Sequence, residues 1–187
     1  MQIIIQGYLT EKKLATALQQ IVGNFWVGGQ VMLPGSPRRW DMAFKQHGSL
    51  VLVEYDGDDH YRDSLKIKAD RERDLLAHKS QMRVVRVPYW IQLDNITAQY
   101  YFGISADICQ SFPHGFITTK LFPASFCELG IERFTQDLQA LPSQVRGAVI
   151  QSLRDRVEEY GSEYVLPSTL RYLLVHHPTS EDSPGKR

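Results

Sequence analysis

Leu50-Val51-Leu52-Val53 runs without a break into Glu54-Tyr55-Asp56-Gly57, and this join limits what the chain can fold into. Four apolar residues in a row predict a strand covered on both faces, because a strand with one wet face alternates instead. Two acids at the end of such a strand need partners, since a buried unpaired charge is costly. Glu54 and Asp56 are two apart, so on a strand their carboxylates share a face. Residues 40–44 read as the antiparallel neighbour of residues 49–55, turned by His47-Gly48, and they bring a third acid, Asp41, to the same end.

The flanking segments complete the unit. Thr10 is the expected N-cap of a helix over residues 11–22, whose Leu14, Ala17, Leu18 and Ile21 recur at helical spacing. Gly23-Asn24 ends that helix. Residues 25–33 form a β-rich segment bent at Gly28-Gly29, and Pro34-Gly35-Ser36-Pro37 turns the chain. Asp56-Gly57-Asp58-Asp59 breaks the sheet. A charged helix follows over residues 64–78, with Leu65, Leu75 and Leu76 expected to face inward. Residues 83–87 alternate valine with arginine as a strand that Pro88 stops. The order α-β-β-β-α-β predicts an α/β (α+β) fold with a mixed sheet.

The remaining segments carry fewer signals. Residues 1–8 suit a short strand, and residues 91–101 a helix capped by Asp94 or Asn95. Residues 111–126 are loop-rich, and helices are expected over 128–138, 143–160 and 167–174. The organisation that results is a core over 1–90, a helical extension over 91–177 and a polar disordered tail over 178–187.

Composition sets the limits of function. The 187 residues carry 21 lysines and arginines against 21 acids, so bulk charge does not announce a nucleic-acid binder. The opening MQIII lacks the basic flank of a signal peptide, and no apolar run reaches membrane-span length. Cys109 and Cys127 lack metal spacing and suit a reduced compartment. The expectation is a cytoplasmic protein with no membrane partner.

The chemistry rests on carboxylates. Asp41, Glu54 and Asp56, brought within a few ångströms, would repel one another unless a cation joined them. Hard oxygen ligands suit Mg²⁺, Mn²⁺ or Ca²⁺ rather than zinc. The alternative is that these acids mark a turn, for Asp-Gly-Asp is common in loops. The D-x-D-x-D-G spacing of a calcium-hand loop is absent. His60, just past the acidic turn, is placed to orient a water or protonate a leaving oxygen. In the run 66–74, Lys66–Asp70 and Lys68–Glu72 stand four apart and suit solvated surface pairs, which leaves one cation to face the acids. Arg38, Arg39 and Lys45, with Trp40 among them, form a basic patch able to hold a DNA backbone. Pro88-Tyr89-Trp90 reads as core or interface.

Taken in order, these pieces resemble the PD-(D/E)XK nuclease superfamily, near its very-short-patch-repair and small restriction-endonuclease-like branch. The matching features are a first helix with Glu11, a strand with Gln30, Arg39-Trp40-Asp41, then Val53 to His60 as V-E-Y-D-G-x-x-H. A helix with Asp70-Arg71 and Asp74 and a strand with Val84 to Arg86 complete the set. The resemblance covers less than half of the chain. It implies a restriction-endonuclease-like core and a Mg²⁺-dependent DNA endonuclease, Mn²⁺ substituting, of the restriction, repair or mobile-element type. Asp41 would be the central metal ligand and Glu54 the second acid, with Asp56 a further ligand. Asp56 departs from the pattern, because it stands where the motif places a lysine. Lys66 or Lys68 would supply that charge, or His60 would take part of its role, with Glu11 in support. Arg38, Arg39, Lys45 and Arg71 are the expected DNA contacts. The zinc-binding cysteines of the repair-type relatives have no counterpart, so no structural zinc is expected. Cutting both strands calls for two sites, hence a homodimer, and a monomeric nickase is the other possibility. The competing reading, kept open by Asp56, is a catalytically inactive nuclease-fold protein that binds nucleic acid or acts as a scaffold. An enzyme for small phosphate esters has no Gly-rich phosphate loop to support it.

Overall fold

The computed structural model describes residues 2–33, 39–116 and 121–174. Arg38, the turn at Pro34-Gly35-Ser36-Pro37 and the tail over 178–187 lie outside the described residues. Helix α1 (Glu11–Val22) begins where expected, with the Thr10 hydroxyl accepting the Lys13 N–H at 3.3 Å. It buries Leu14, Ala17, Leu18 and Val22.

Strands β2 (Trp26–Met32), β3 (Arg39–Gln46) and β4 (Ser49–Asp56) form an antiparallel meander, with an irregularity in β2 between Trp26 and Gly28. Helices α2 (Asp59–Arg62) and α3 (Ser64–Lys79) then carry the chain over to β5 (Arg83–Pro88), which lies parallel to β4. The sheet order β2-β3-β4-β5 is therefore mixed, as the element order requires. The opening strand β1 (Ile3–Ile5) pairs in parallel with β6 (Ile108–Gln110), a non-local pairing that the sequence did not announce.

Helices α4 (Asn95–Phe102), α5 (Glu128–Ala140), α6 (Ser143–Tyr160) and α7 (Ser162–Val165) follow, with short 3₁₀ turns between and after them. Asp94 caps α4, so residues 91–93 are not helical as expected. Among the described residues no helix is long and apolar enough to cross a membrane.

Strand alternation divides the core. Val51, Val53, Val85 and Val87 point to one face, where they meet Leu14 and Leu18 of α1 in a cluster continuing through Trp90, Phe116 and Phe134 to Leu153 and Leu170. That cluster joins residues on both sides of position 90. Leu52 and Ala43 point the other way and meet Trp40 and Ala77 beneath α3. The apolar run at the head of β4 is thus covered on both faces.

Helix α3 corrects one expectation. Leu65, Leu75 and Leu76 are 74%, 60% and 62% exposed, and the inward stripe is Ile67, Asp70 and Ala77 with Arg73 and Asp74 half-buried between them. The reason lies in the sheet. Ala77 sits over Leu52, whereas the N-terminal half of α3 crosses the strand ends that carry Glu54, Asp56 and Arg86. A charged stripe is what that surface accepts. Leu75→Glu should therefore leave the unfolding free energy within about 0.5 kcal/mol of wild type in urea denaturation. A loss of about 2 kcal/mol or more, the usual cost of truncating a core leucine, would contradict this placement.

Candidate active site

The β3–β4 ladder runs from Gln46 opposite Ser49 to Met42 opposite Val53, and beyond that pair the strands part. In the gap the Asp41 carboxylate replaces a backbone acceptor: its Oδ2 accepts the Tyr55 N–H at 2.8 Å. The Asp41 N–H in turn donates to Glu54 Oε1 at 3.3 Å. The two acids are therefore fixed against each other by the sheet's own backbone. They line an open cleft of about 510 Å³ with Glu11 from α1, Asp58 and His60 at the start of the crossover, and Lys66, Asp70 and Arg73 from α3.

Glu11 is held at the rim by Gln30, whose amide donates to its carboxylate at 3.0 Å. Gln30 has φ of 51°, a left-handed conformation that a non-glycine residue adopts only when its surroundings compel it. The bent β2 strand thus aims this side chain at the cleft.

Charge in the cleft is unbalanced. Burial pushes the Asp41 carboxyl above its usual range, with Glu11 and Asp56 adding to the effect against the Tyr55 N–H and Arg73. Burial and the neighbouring Asp41 charge raise Glu54 to about 7, although Arg73 lies 2.5 Å away and Arg86 also opposes the shift. Burial is the main cause at both acids, and the nearby arginine charges offset it only in part. The carboxylate oxygens form a hard donor set suited to a divalent cation.

Asp56 belongs to a different group. Fully buried, it accepts from Arg86 Nη1 at 2.8 Å and from Arg133 Nη2, and it does not line the cleft that Asp41 and Glu54 share. The expected convergence of all three acids is thus replaced by a pair in the cleft and one acid behind it. Asp56, His60 and Asp70 do bring one ligand atom each within 4.8 Å of one another. Arg86 and Arg133 already neutralise these carboxylates, so a cation there would compete with two guanidiniums.

His60 Nδ1 lies 2.6 Å from Asp70 Oδ2 and 3.3 Å from Asp56 Oδ1. Burial works against the Asp70 charge, but the His60 hydrogen bond, Arg86 and Arg133 outweigh it and hold its carboxyl well below the usual range. Asp70 is therefore an inward residue and not a surface partner of Lys66. Lys66 instead lies 3.9 Å from Asp59 at the cleft.

The remaining expected residues scatter. Lys68 is exposed and does not line the cleft. Arg71 pairs with Glu132 on the surface at 3.1 Å. Arg39 and Lys45 are exposed on β3, and Arg38 lies outside the described residues. Trp40 is 1% exposed beneath the Arg73 guanidinium, 4.5 Å from its ring centroid, so it offers no surface to a base. Trp90 is buried in the core, as expected.

Three cations were missed: Arg73, Arg86 and Arg133. Arg86 had a signal, for it alternates with the inward Val85 and Val87 and therefore shares the Glu54 face, opposite Glu54 in register. Arg73 lies three residues past Asp70, on the same helical stripe. Arg133 had none, because it reaches Asp56 across 77 positions. No protein-family model matches the chain, and no curated protein or solved structure matches it either.

Proposed function

We propose that this chain is a metal-dependent DNA endonuclease of the PD-(D/E)XK kind that hydrolyses phosphodiester bonds. The observation that carries the reading is the Asp41–Glu54 pair, locked at the parting of β3 and β4, with both carboxyls pushed upward inside an open cleft. Asp41 and Glu54, with Glu11 at the rim, would hold Mg²⁺ or Mn²⁺. An ion held there would supply a water of lowered pKa and offset charge on a phosphoryl oxygen. Lys66 and Arg73 supply the positive charge that the lysine slot, filled by Asp56, does not. His60 presents one ring nitrogen to Asp70, which leaves the other to hold or deliver a proton at the scissile oxygen. Cys109 and Cys127 are free thiols, in keeping with a cytoplasmic setting.

The second reading, a nuclease-fold binding or scaffold protein without catalysis, is favoured by one contact. Arg73 sits on Glu54 at 2.5 Å, where a metal would compete with it.

Thermal melting with and without Mn²⁺ at two pH values tests the metal site. Folded Glu54 keeps its proton up to about pH 7, whereas the unfolded chain releases it near 4.5. The folded state binds the extra proton, so metal-free stability should fall as pH rises through this window, by about 3 kcal/mol at most. Mn²⁺ competes with that proton. Its stabilising effect should be small at pH 5 and about 5–10 °C at pH 8 with metal at a hundred times its dissociation constant. Equal melting temperatures with and without Mn²⁺ or Mg²⁺ at pH 8 would remove the metal site. Cleavage of supercoiled plasmid tests the reaction, and nicked or linear product tells a monomeric nickase from a homodimer cutting both strands.

A further inference from the structure

Helix α5 is docked on the turn that carries His60 by three separate contacts. The Cys127 N–H donates to the Tyr61 carbonyl at 3.1 Å. Gly130 lies so close that a Cβ built on it would stand 1.7 Å from the same carbonyl oxygen, an approach only glycine permits. The third contact is Arg133, one helical turn further on.

The Arg133 guanidinium spans several acceptors. Its Nη1 donates to the His60 carbonyl and to Asp70 Oδ2, both at 3.2 Å, and its Nη2 donates to Asp56 Oδ2. Its flat face lies over the Tyr61 ring, 5.3 Å from the centroid. Asp70 Oδ2 is the very oxygen that meets His60 Nδ1. Arg133 thus holds both the backbone of His60 and the carboxylate that orients its ring. A planar fork with five donors can bridge such a set, and a single ammonium cannot.

We propose that Arg133 is the positioning residue of the His60–Asp70 pair, so that the C-terminal helices are part of the catalytic centre and not an appendage. The role in catalysis rests on the nuclease reading, but the effect on the histidine does not. With Asp70 fixed as acceptor, His60 carries its proton on Nδ1 and keeps Nε2 for the cleft. Without Arg133, Asp70 Oδ2 loses its guanidinium partner, Arg86 and Arg73 standing at Oδ1, and the ring reverts toward the mixed tautomers of a free imidazole.

The test compares the 187-residue wild type with Arg133→Lys, which keeps a charge beside Asp56 and Asp70, and with Gly130→Ala, which keeps the Arg133 side chain but displaces the helix that carries it. The first readout is the pair of His60 ring ¹⁵N shifts at alkaline pH, without DNA or metal. Wild type should show the Nδ1–H tautomer, and both variants a mixture. The second is single-turnover plasmid cleavage, expected to drop at least tenfold in Arg133→Lys with DNA binding changed less than threefold. A folded Arg133→Lys protein with the wild-type tautomer overturns the proposal. So does an unaltered cleavage rate in that variant. A wild type that cleaves no DNA defeats the nuclease reading alone, and the tautomer readout still decides the role of Arg133.

Discussion

Asp41→Asn should lower metal-dependent plasmid cleavage at least about a thousandfold, equivalent to about 4 kcal/mol of transition-state stabilisation. The substitution is nearly isosteric, and an asparagine Oδ1 can still accept the Tyr55 N–H that Asp41 accepts at 2.8 Å. The parting of β3 and β4 is therefore preserved, and loss of cleavage reports on charge. A second outcome is specific to the electrostatics. Removing the negative charge beside Glu54 relieves part of what raises that carboxyl to about 7, so the variant should be more stable than wild type at pH 8 without metal. The gain from Mn²⁺ should disappear in the same melt. A variant that still cleaves within tenfold of wild type would move the centre of the site away from Asp41. A variant with unchanged cleavage but lost Mn²⁺ stabilisation would separate the bound metal from the reaction.

Asp56→Asn should have the largest effect on folding, about 3–5 kcal/mol, or a drop in melting temperature of about 10 °C. Asp56 is fully buried between Arg86 and Arg133. An amide there leaves two guanidiniums facing each other with Asp70, Asp74 and the more distant Asp137 to offset them, and removing one partner of a buried ion pair strands the other charge. Differential scanning calorimetry with a Mn²⁺ titration separates this role from that of a metal ligand. If Asp56 is the centre of a structural ion network, the variant is strongly destabilised and a folded fraction still gains stability from Mn²⁺. A small loss of stability together with loss of the Mn²⁺ effect would instead return Asp56 to the ligand set expected from its spacing to Glu54.

The positions of Asp41 and Asp56 are decided by different kinds of interaction. Strand periodicity correctly placed Glu54 and Asp56 on one face and brought Asp41 opposite, because alternation and a tight turn at His47-Gly48 are local properties. Periodicity says nothing about what lies across that face. Helix α3 and α5 cover it unequally: α3 brings Arg73 to Glu54, and α5 brings Arg133 to Asp56. Two acids with the same orientation thus acquire different partners. The leucines of α3 show the same limit. Leucines of a helix are expected to face inward, yet this helix meets a charged strand end and turns Asp70 toward it instead.

Local sequence pattern was enough to give the order of the main elements, the mixed α/β sheet that follows from it, and the gathering of Asp41 and Glu54 at one strand end. Each rests on interactions between near neighbours in the chain: caps, turns, alternation and the need to cover an uninterrupted apolar strand. The long-range packing sets which cation each acid meets, Arg73 at Glu54 and Arg133 at Asp56. That choice depends on arginines delivered from helices tens of residues away, whose approach is set by packing such as the Gly130–Tyr61 contact. The field at a carboxylate is the sum of charges close in space, and closeness in space is what a linear pattern does not contain.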